Sequence, residues 1–189
     1  KNIIITGPNA SGKTTILKTV LFNIILSQQI GYGFYNDASI IPFNHIHSYL
    51  NIPDTSCRDS LFQAEARRCK EIIDSLKSSS ENERHFCIFD ELYSGTNPSE
   101  AVESANAYLN YLNNNPNIKF MLTTHYYDAC NKNKQNTSNF NMKVLTNDNH
   151  EFKYTYCLEK GISTIKGGLK VLQDLNYPSE IIEYVKKAI

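Results

Sequence analysis

The chain has 189 residues, 41% of them hydrophobic, with 19 basic and 19 acidic side chains and a formal net charge of zero. That length fits one α/β domain with a substantial core, and the neutral balance gives no support to nucleic-acid binding through bulk charge. No apolar run reaches the length of a membrane span and no secretory signal is visible; the five cysteines (Cys57, Cys69, Cys87, Cys130 and Cys157) form no C-x-x-C pair, so they read as reduced thiols of an intracellular protein with no zinc site.

The first element is the β-branched run Asn2–Thr6, suited to a buried strand. Residues 7–14 follow and read G-P-N-A-S-G-K-T, the G-x-x-x-x-G-K-[ST] pattern of a phosphate-binding loop. In such a loop residues Gly7, Pro8, Asn9, Ala10, Ser11 and Gly12 wrap an anion, and all of them but Pro8, which has no N–H, can offer a backbone donor. Lys13 reaches the terminal phosphates, and Thr14 offers a hydroxyl to a bridging Mg²⁺, with Thr15 next in line. Downstream, Ile16, Leu17, Val20, Leu21, Ile24 and Ile25 recur at helical spacing, predicting a helix over 13–29 with Gly31 as its stop. Strand, loop and helix in that order put a helix dipole behind the anion site.

Residues 32–41 read as a strand or an extended loop, closed by Pro42, and residues 44–50 as a short helix. Pro53 to Ser56 is a turn. A long helical pattern then runs through Leu61, Phe62, Glu65, Arg68, Cys69, Ile72, Ile73 and Leu76, with Ser60 and Gln63 forming a capping box. Residues 78–83 are a polar loop, and 85–89 form a second buried strand that ends in Asp90 and Glu91. After a phosphate loop, an apolar strand ending in an acid is the expected second element: Asp90 holds the Mg²⁺ shell and Glu91 polarises an attacking water. Standing alone, the same residues would be a strand running into a charged turn.

A helix over 99–111 is stopped by the Asn-rich stretch 113–117. Residues 118–123 form a third core strand ending in Thr124 and His125; His125 is expected either to contact the γ-phosphate or its water, or to be an ordinary loop residue. Residues 131–141 read as a mobile polar connector, 142–145 and 151–158 as an antiparallel pair around 147–149, and 168–175 and 179–189 as two helices. His45 and His47 form an H-x-H pair without nearby acidic or Cys ligands and read as loop residues.

Taken in order, the segments "TGPNASGKTT", "DTSCRDSLFQAEARR", "FCIFDELYSGTNPSEA" and "MLTTHYYDA" resemble the ATPase domain of MutS proteins, DNA mismatch-repair and recombination ATPases of the ABC superfamily. The resemblance covers nearly the whole chain. It implies an α/β fold of the P-loop NTPase class, an ABC-type three-layer sandwich with a mainly parallel central sheet, formed by residues 1–189 as one domain. It also implies a dimer in which each ATP lies between the loop of one subunit and a Ser-bearing helix start of the other. Ser60 would take that role in trans, or simply cap its own helix, or do each in a different state. Asn9 would touch the nucleotide, and Gly95 and Thr96 would lie in the loop that crosses the interface. Lys13, Glu91 and His125 are then the expected catalytic residues, Thr14 and Asp90 the metal ligands, and ATP with Mg²⁺ the cofactors. The partner is a second copy or a MutS-like paralogue. DNA would be contacted by clamp and mismatch-reading regions outside this chain, which is expected to be a C-terminal fragment of a longer protein.

The departures bear on activity. The usual G-R-S-T-F becomes Arg58-Asp59-Ser60-Leu61-Phe62, placing a negative charge beside the Ser, and the usual G-R-G-T-S becomes Tyr93-Ser94-Gly95-Thr96-Asn97, losing an Arg. A usual Ser-Tyr-Gly is replaced by the stretch Ile165-Lys166-Gly167-Gly168. These changes motivate an alternative, a nucleotide-gated dimerisation module with little hydrolysis. A different ABC-type ATPase of chromosome maintenance would want an LSGGQ-like helix start, which the sequence lacks.

Overall fold

The computed structural model describes residues 1–50, 52, 60–126, 130, 136–146, 152–165 and 167–188. Its strands are β1 (Asn2–Thr6), β2 (His45–Tyr49), β3 (His85–Asp90), β4 (Ile118–Thr123), β5 (Thr137–Thr146) and β6 (Phe152–Lys160). Its helices are α1 (Lys13–Ile30), α2 (Leu61–Ser78), α3 (Pro98–Asn113), α4 (Gly168–Asp174) and α5 (Ser179–Ala188). The strands form one sheet of order β2-β3-β4-β1-β5-β6, in which every pairing is parallel except the antiparallel β5–β6 edge.

The central strands are continuous apolar runs because both of their faces are covered. Their side chains alternate between two cores. Ile5, Phe86, Ile88 and Met121 pack with Leu17, Leu21 and Ile24 of α1. Ile4, Cys87, Phe89, Phe120 and Leu122 pack with Cys69 and Ile72 of α2 and with Ala101, Ala105 and Leu109 of α3. Helix, sheet and helix thus make three layers. β1 sits between β4 and β5 while the chain leaves it for β2 at the far edge, so the loop after β1 opens at a change of winding direction, where parallel sheets place their ligands.

Most expected elements lie within a few residues of their predicted bounds, and two readings need correction. Residues 44–50 are not a helix: β2 pairs in parallel with β3, from His45 opposite His85 to Tyr49 opposite Phe89. Its period is two, with Ile46 turned to the α1 core and Tyr49 to the other. The polar stretch 131–141 is only partly a connector. Thr137 to Asn141 open β5 and pair with β1, where backbone hydrogen bonding to a central strand overrides an Asn-rich sequence. Residues 131–135, the turn at Pro53 to Ser56, Cys57, Arg58, Asp59, the turn at 147–149 and Lys166 lie outside the described residues. Residues 32–41 adopt neither strand nor helix. No described helix is long and apolar enough to cross a membrane.

Candidate functional site

Loop 7–12 leaves β1 and enters α1 through backbone that few residues tolerate: φ is 153° at Gly7, 61° at Ala10 and 97° at Gly12. Gly12 is the N-cap of α1, and no side chain caps the helix, so its first N–H groups are not taken by a capping oxygen. A Cβ at Gly12 would meet Tyr156 Cδ1 at 3.2 Å and Met142 Cε at 3.3 Å, so the loop is pressed against β5 and β6. Ser11 is buried and its Oγ donates to the Pro8 carbonyl at 2.7 Å, fixing the turn from inside. Gly167, from the divergent stretch, packs against Pro8.

Lys13 is only 5% exposed, and its Nζ donates back to the carbonyls of Gly7 at 3.0 Å and Pro8 at 3.3 Å. Burial pushes this ammonium below its ordinary value, while Glu91 and Asp90 act in the opposite direction. Thr14 Oγ1 donates to Asp90 Oδ2 at 2.8 Å. The other carboxylate oxygen of Asp90 accepts from Thr123 Oγ1 at the end of β4. The ends of three neighbouring strands therefore converge on one point.

Glu91 takes a left-handed φ of 56°, which turns its carboxylate back over the loop. Its Oε1 stands 2.8 Å from His125 Nε2 and 3.9 Å from Lys13 Nζ. His125 Nε2 also lies 3.3 Å from Lys13 Nζ, but one ring nitrogen cannot accept there while donating to Glu91. The shorter contact makes Nε2–H the donor to Glu91. That bond, first, and the nearby Lys13 hold the Glu91 carboxyl below the usual range, against the effect of its partial burial.

Thr14 and Asp90 bring a hydroxyl and a carboxylate, the hard oxygen donors that Mg²⁺ takes, to adjacent positions beside the loop. The residues present therefore fit Mg²⁺. Lys13, Thr14, Asp90, Glu91 and His125 lie together, and loop 7–12 borders them. Asn9 and Ala10 are exposed on the loop surface, and Thr15 is exposed on the first turn of α1.

Ser60 begins α2, whose Leu61 and Glu65 line one cavity with Asp90 and Glu91. It caps α2: Gln63 N donates to Ser60 Oγ at 3.3 Å, and Ser60 N donates to Gln63 Oε1 at 2.8 Å. It is exposed at the start of α2. Two residues escaped the sequence reading. Tyr156 lies in β6 with a left-handed φ of 58°, 65% exposed, its ring edge against Gly12. Glu65, read as part of a helical pattern and as a mark of the family resemblance but given no role, is 2% exposed and reaches from α2 to the loop that follows Glu91. A glutamate at a core-facing helical position was the available signal for Glu65.

Residues 3–189 match the family model described as MutS domain V. Proteins named DNA mismatch repair protein MutS are similar over almost the whole chain. The Fusobacterium nucleatum protein is 26% identical over 189 residues, covering 99% of this chain and 20% of the relative. The Bacteroides fragilis protein is 27% identical over 186 residues, covering 96% and 21%. The Streptococcus agalactiae protein is 24% identical over 182 residues, covering 95% and 21%. The chain spans about a fifth of the length of these curated relatives. With a match that runs from the first strand to the last helix, the chain belongs to the MutS domain V family.

Proposed function

We propose that this chain is the ATP-binding and ATP-hydrolysing domain of a MutS-like mismatch-repair or recombination protein, a P-loop NTPase of the ABC type. The observation that carries the reading is the convergence of Lys13, Thr14, Asp90, Glu91 and His125 at the C-terminal edge of β1, β3 and β4, beside a loop with left-handed backbone at Gly7, Ala10 and Gly12. Loop amides and Lys13 bind the phosphates, and the buried ammonium exchanges its carbonyl partners for phosphate oxygens. Thr14 and Asp90 would hold Mg²⁺, which would supply charge neutralisation to the bound phosphates. Glu91 accepts a hydrogen bond from the attacking water, and His125 fixes the Glu91 rotamer and contacts the γ-phosphate. The exposed Tyr156 ring, beside the loop, stacks on the base.

A second copy, or a MutS-like paralogue, closes the site with Ser60 at the start of α2, which offers a hydroxyl and helix-terminal N–H groups to the γ-phosphate. DNA is engaged by parts of the protein outside this chain. Hydrolysis and nucleotide binding separate in one experiment. Calorimetry with ATP and Mg²⁺ should give saturable binding in both wild type and Glu91→Ala, while steady-state turnover falls at least about a hundredfold in the variant. Equal turnover removes Glu91 from the reaction, and absence of binding to folded wild type removes the ATP reading itself. A second reading, a nucleotide-gated module with little hydrolysis, is favoured by Ser94 standing where the family pattern has Arg. Tight binding and dimerisation without turnover in wild type would select it.

A further inference from the structure

We propose that Glu65 is a positioning residue that clamps the start of α2 to the loop carrying Glu91, so that the exposed Ser60 and the hydrolytic carboxylate move as one body. The proposal rests on the ATP reading above. Glu65 lies on α2 just over one turn beyond Ser60 and is 2% exposed. Its Oε1 accepts from Ser94 N at 3.0 Å and Ser94 Oγ at 2.8 Å, and its Oε2 accepts from Gly95 N at 3.1 Å. Both carboxylate oxygens are therefore committed to one loop. The two surfaces also touch directly. A Cβ at Gly95 would fall 2.7 Å from Leu61 Cγ and 2.8 Å from Phe62 N, and the rings of Phe62 and Tyr93 lie 5.6 Å apart.

Only Leu92 and Tyr93 separate Glu91 from this clamped segment, and Glu91 and Tyr93 both hold left-handed backbone, with φ of 56° and 58°. Such conformations persist in non-glycine residues only where the surroundings enforce them. Glu91 N is held by the Thr123 carbonyl and Tyr93 N by the Tyr49 hydroxyl, and Glu65 adds the restraint from α2 at Ser94 and Gly95. A partner's phosphate that draws on the N-terminus of α2 thereby acts on the turn that aims Glu91 at the other site. The mechanical link runs through three hydrogen bonds on one carboxylate.

The test compares Glu65→Gln and Ser94→Ala with wild type in the full-length protein, measuring MgATP affinity by calorimetry, turnover by phosphate release and melting temperature. Glutamine has the same shape but presents an NH₂ to one of the loop donors, so turnover should fall roughly 10- to 100-fold while MgATP affinity stays within about twofold. Ser94→Ala removes one of the three bonds and should cost about fivefold in turnover. It carries the test if Glu65→Gln does not fold. Turnover equal to wild type in the folded variants overturns the proposal. So does a parallel loss of affinity, turnover and melting temperature, which would make Glu65 a structural residue only. Wild type that binds no MgATP is a separate outcome, visible without any variant, and overturns the ATP reading and this inference with it.

Discussion

Lys13 carries a positive charge into a nearly closed position, yet the nearest carboxylate oxygen, Glu91 Oε1, is 3.9 Å from its Nζ. Desolvation dominates its environment, and backbone carbonyls are its closest partners. A side chain held this way is primed for an anion that brings several oxygens at once. The motif residues were legible in the sequence because G-x-x-x-x-G-K-T specifies local backbone, and the chemistry follows from that backbone. Tyr156 was not legible. It reaches Gly12 from a strand far along the chain, after β6 has turned back along β5 and a register irregularity between Met142 and Val144 has shifted the pairing. No local pattern encodes that approach. If the ring stacks on the base, Tyr156→Ala should weaken ATP binding about 5- to 100-fold, the range expected for base–aromatic stacking. It should leave inorganic triphosphate binding within twofold (roughly, since the loop contacts persist). Competition of ATP and triphosphate against a fluorescent nucleotide would separate the two, and equal losses for both ligands would place Tyr156 in support of the loop instead.

At the scale of elements, β2 is where helix and strand were confused. Short mixed runs of apolar and polar residues do not declare their period, and the choice was made by β3, which offers a whole row of backbone partners from His85 to Phe89. The pairing brings three histidines together that the sequence separates. His47 Nε2 lies 3.1 Å from His85 Nδ1, and the rings of His45 and His85 are 4.5 Å apart and nearly parallel. One proton can bridge His47 and His85, whereas two would set N–H against N–H. Burial, then His85, His45 and Arg68, pushes His47 down to about 4, and His85 is lowered by burial and by His45, with Glu83 opposing. The unfolded chain, with an ordinary imidazole near 6.5, binds more protons than the folded one between these values. Stability therefore rises with pH across this window and is lost as pH falls from about 6.5 towards 4. The slope cannot exceed about 1.4 kcal/mol per pH unit for each proton. Thermal melts at pH 7.5 and 5 should show wild type losing several degrees more than His47→Gln, and equal losses would dissociate the edge strand from the acid sensitivity.

For the whole molecule, the shared design of sheet and helices was readable because the buried strands are apolar on both faces and α1, α2 and α3 carry regular apolar spacing. What one chain would do to another is implied only by the resemblance, because a capping Ser and a phosphate-binding Ser look alike in sequence. The geometry separates two consequences of Ser60. As a cap it satisfies Gln63 N within its own helix, an interaction whose loss costs about 1 kcal/mol of stability. As the closing residue of a partner's site it has no effect on nucleotide capture by an isolated chain, but it decides whether two chains hold together around ATP. Ser60→Gly keeps most of the cap propensity while deleting the hydroxyl. The variant should therefore melt within a few degrees of wild type and bind MgATP with unchanged affinity at low protein concentration. Its turnover should fall at least about tenfold, the loss expected for one donor to a charged phosphate, and its specific activity should no longer climb with protein concentration. Sedimentation with a slowly hydrolysed ATP analogue reads the same point directly: wild type shifts to a dimer and Ser60→Gly remains a monomer. A variant that dimerises and turns over like wild type confines Ser60 to its capping bond, and the closing group must then come from elsewhere on the start of α2.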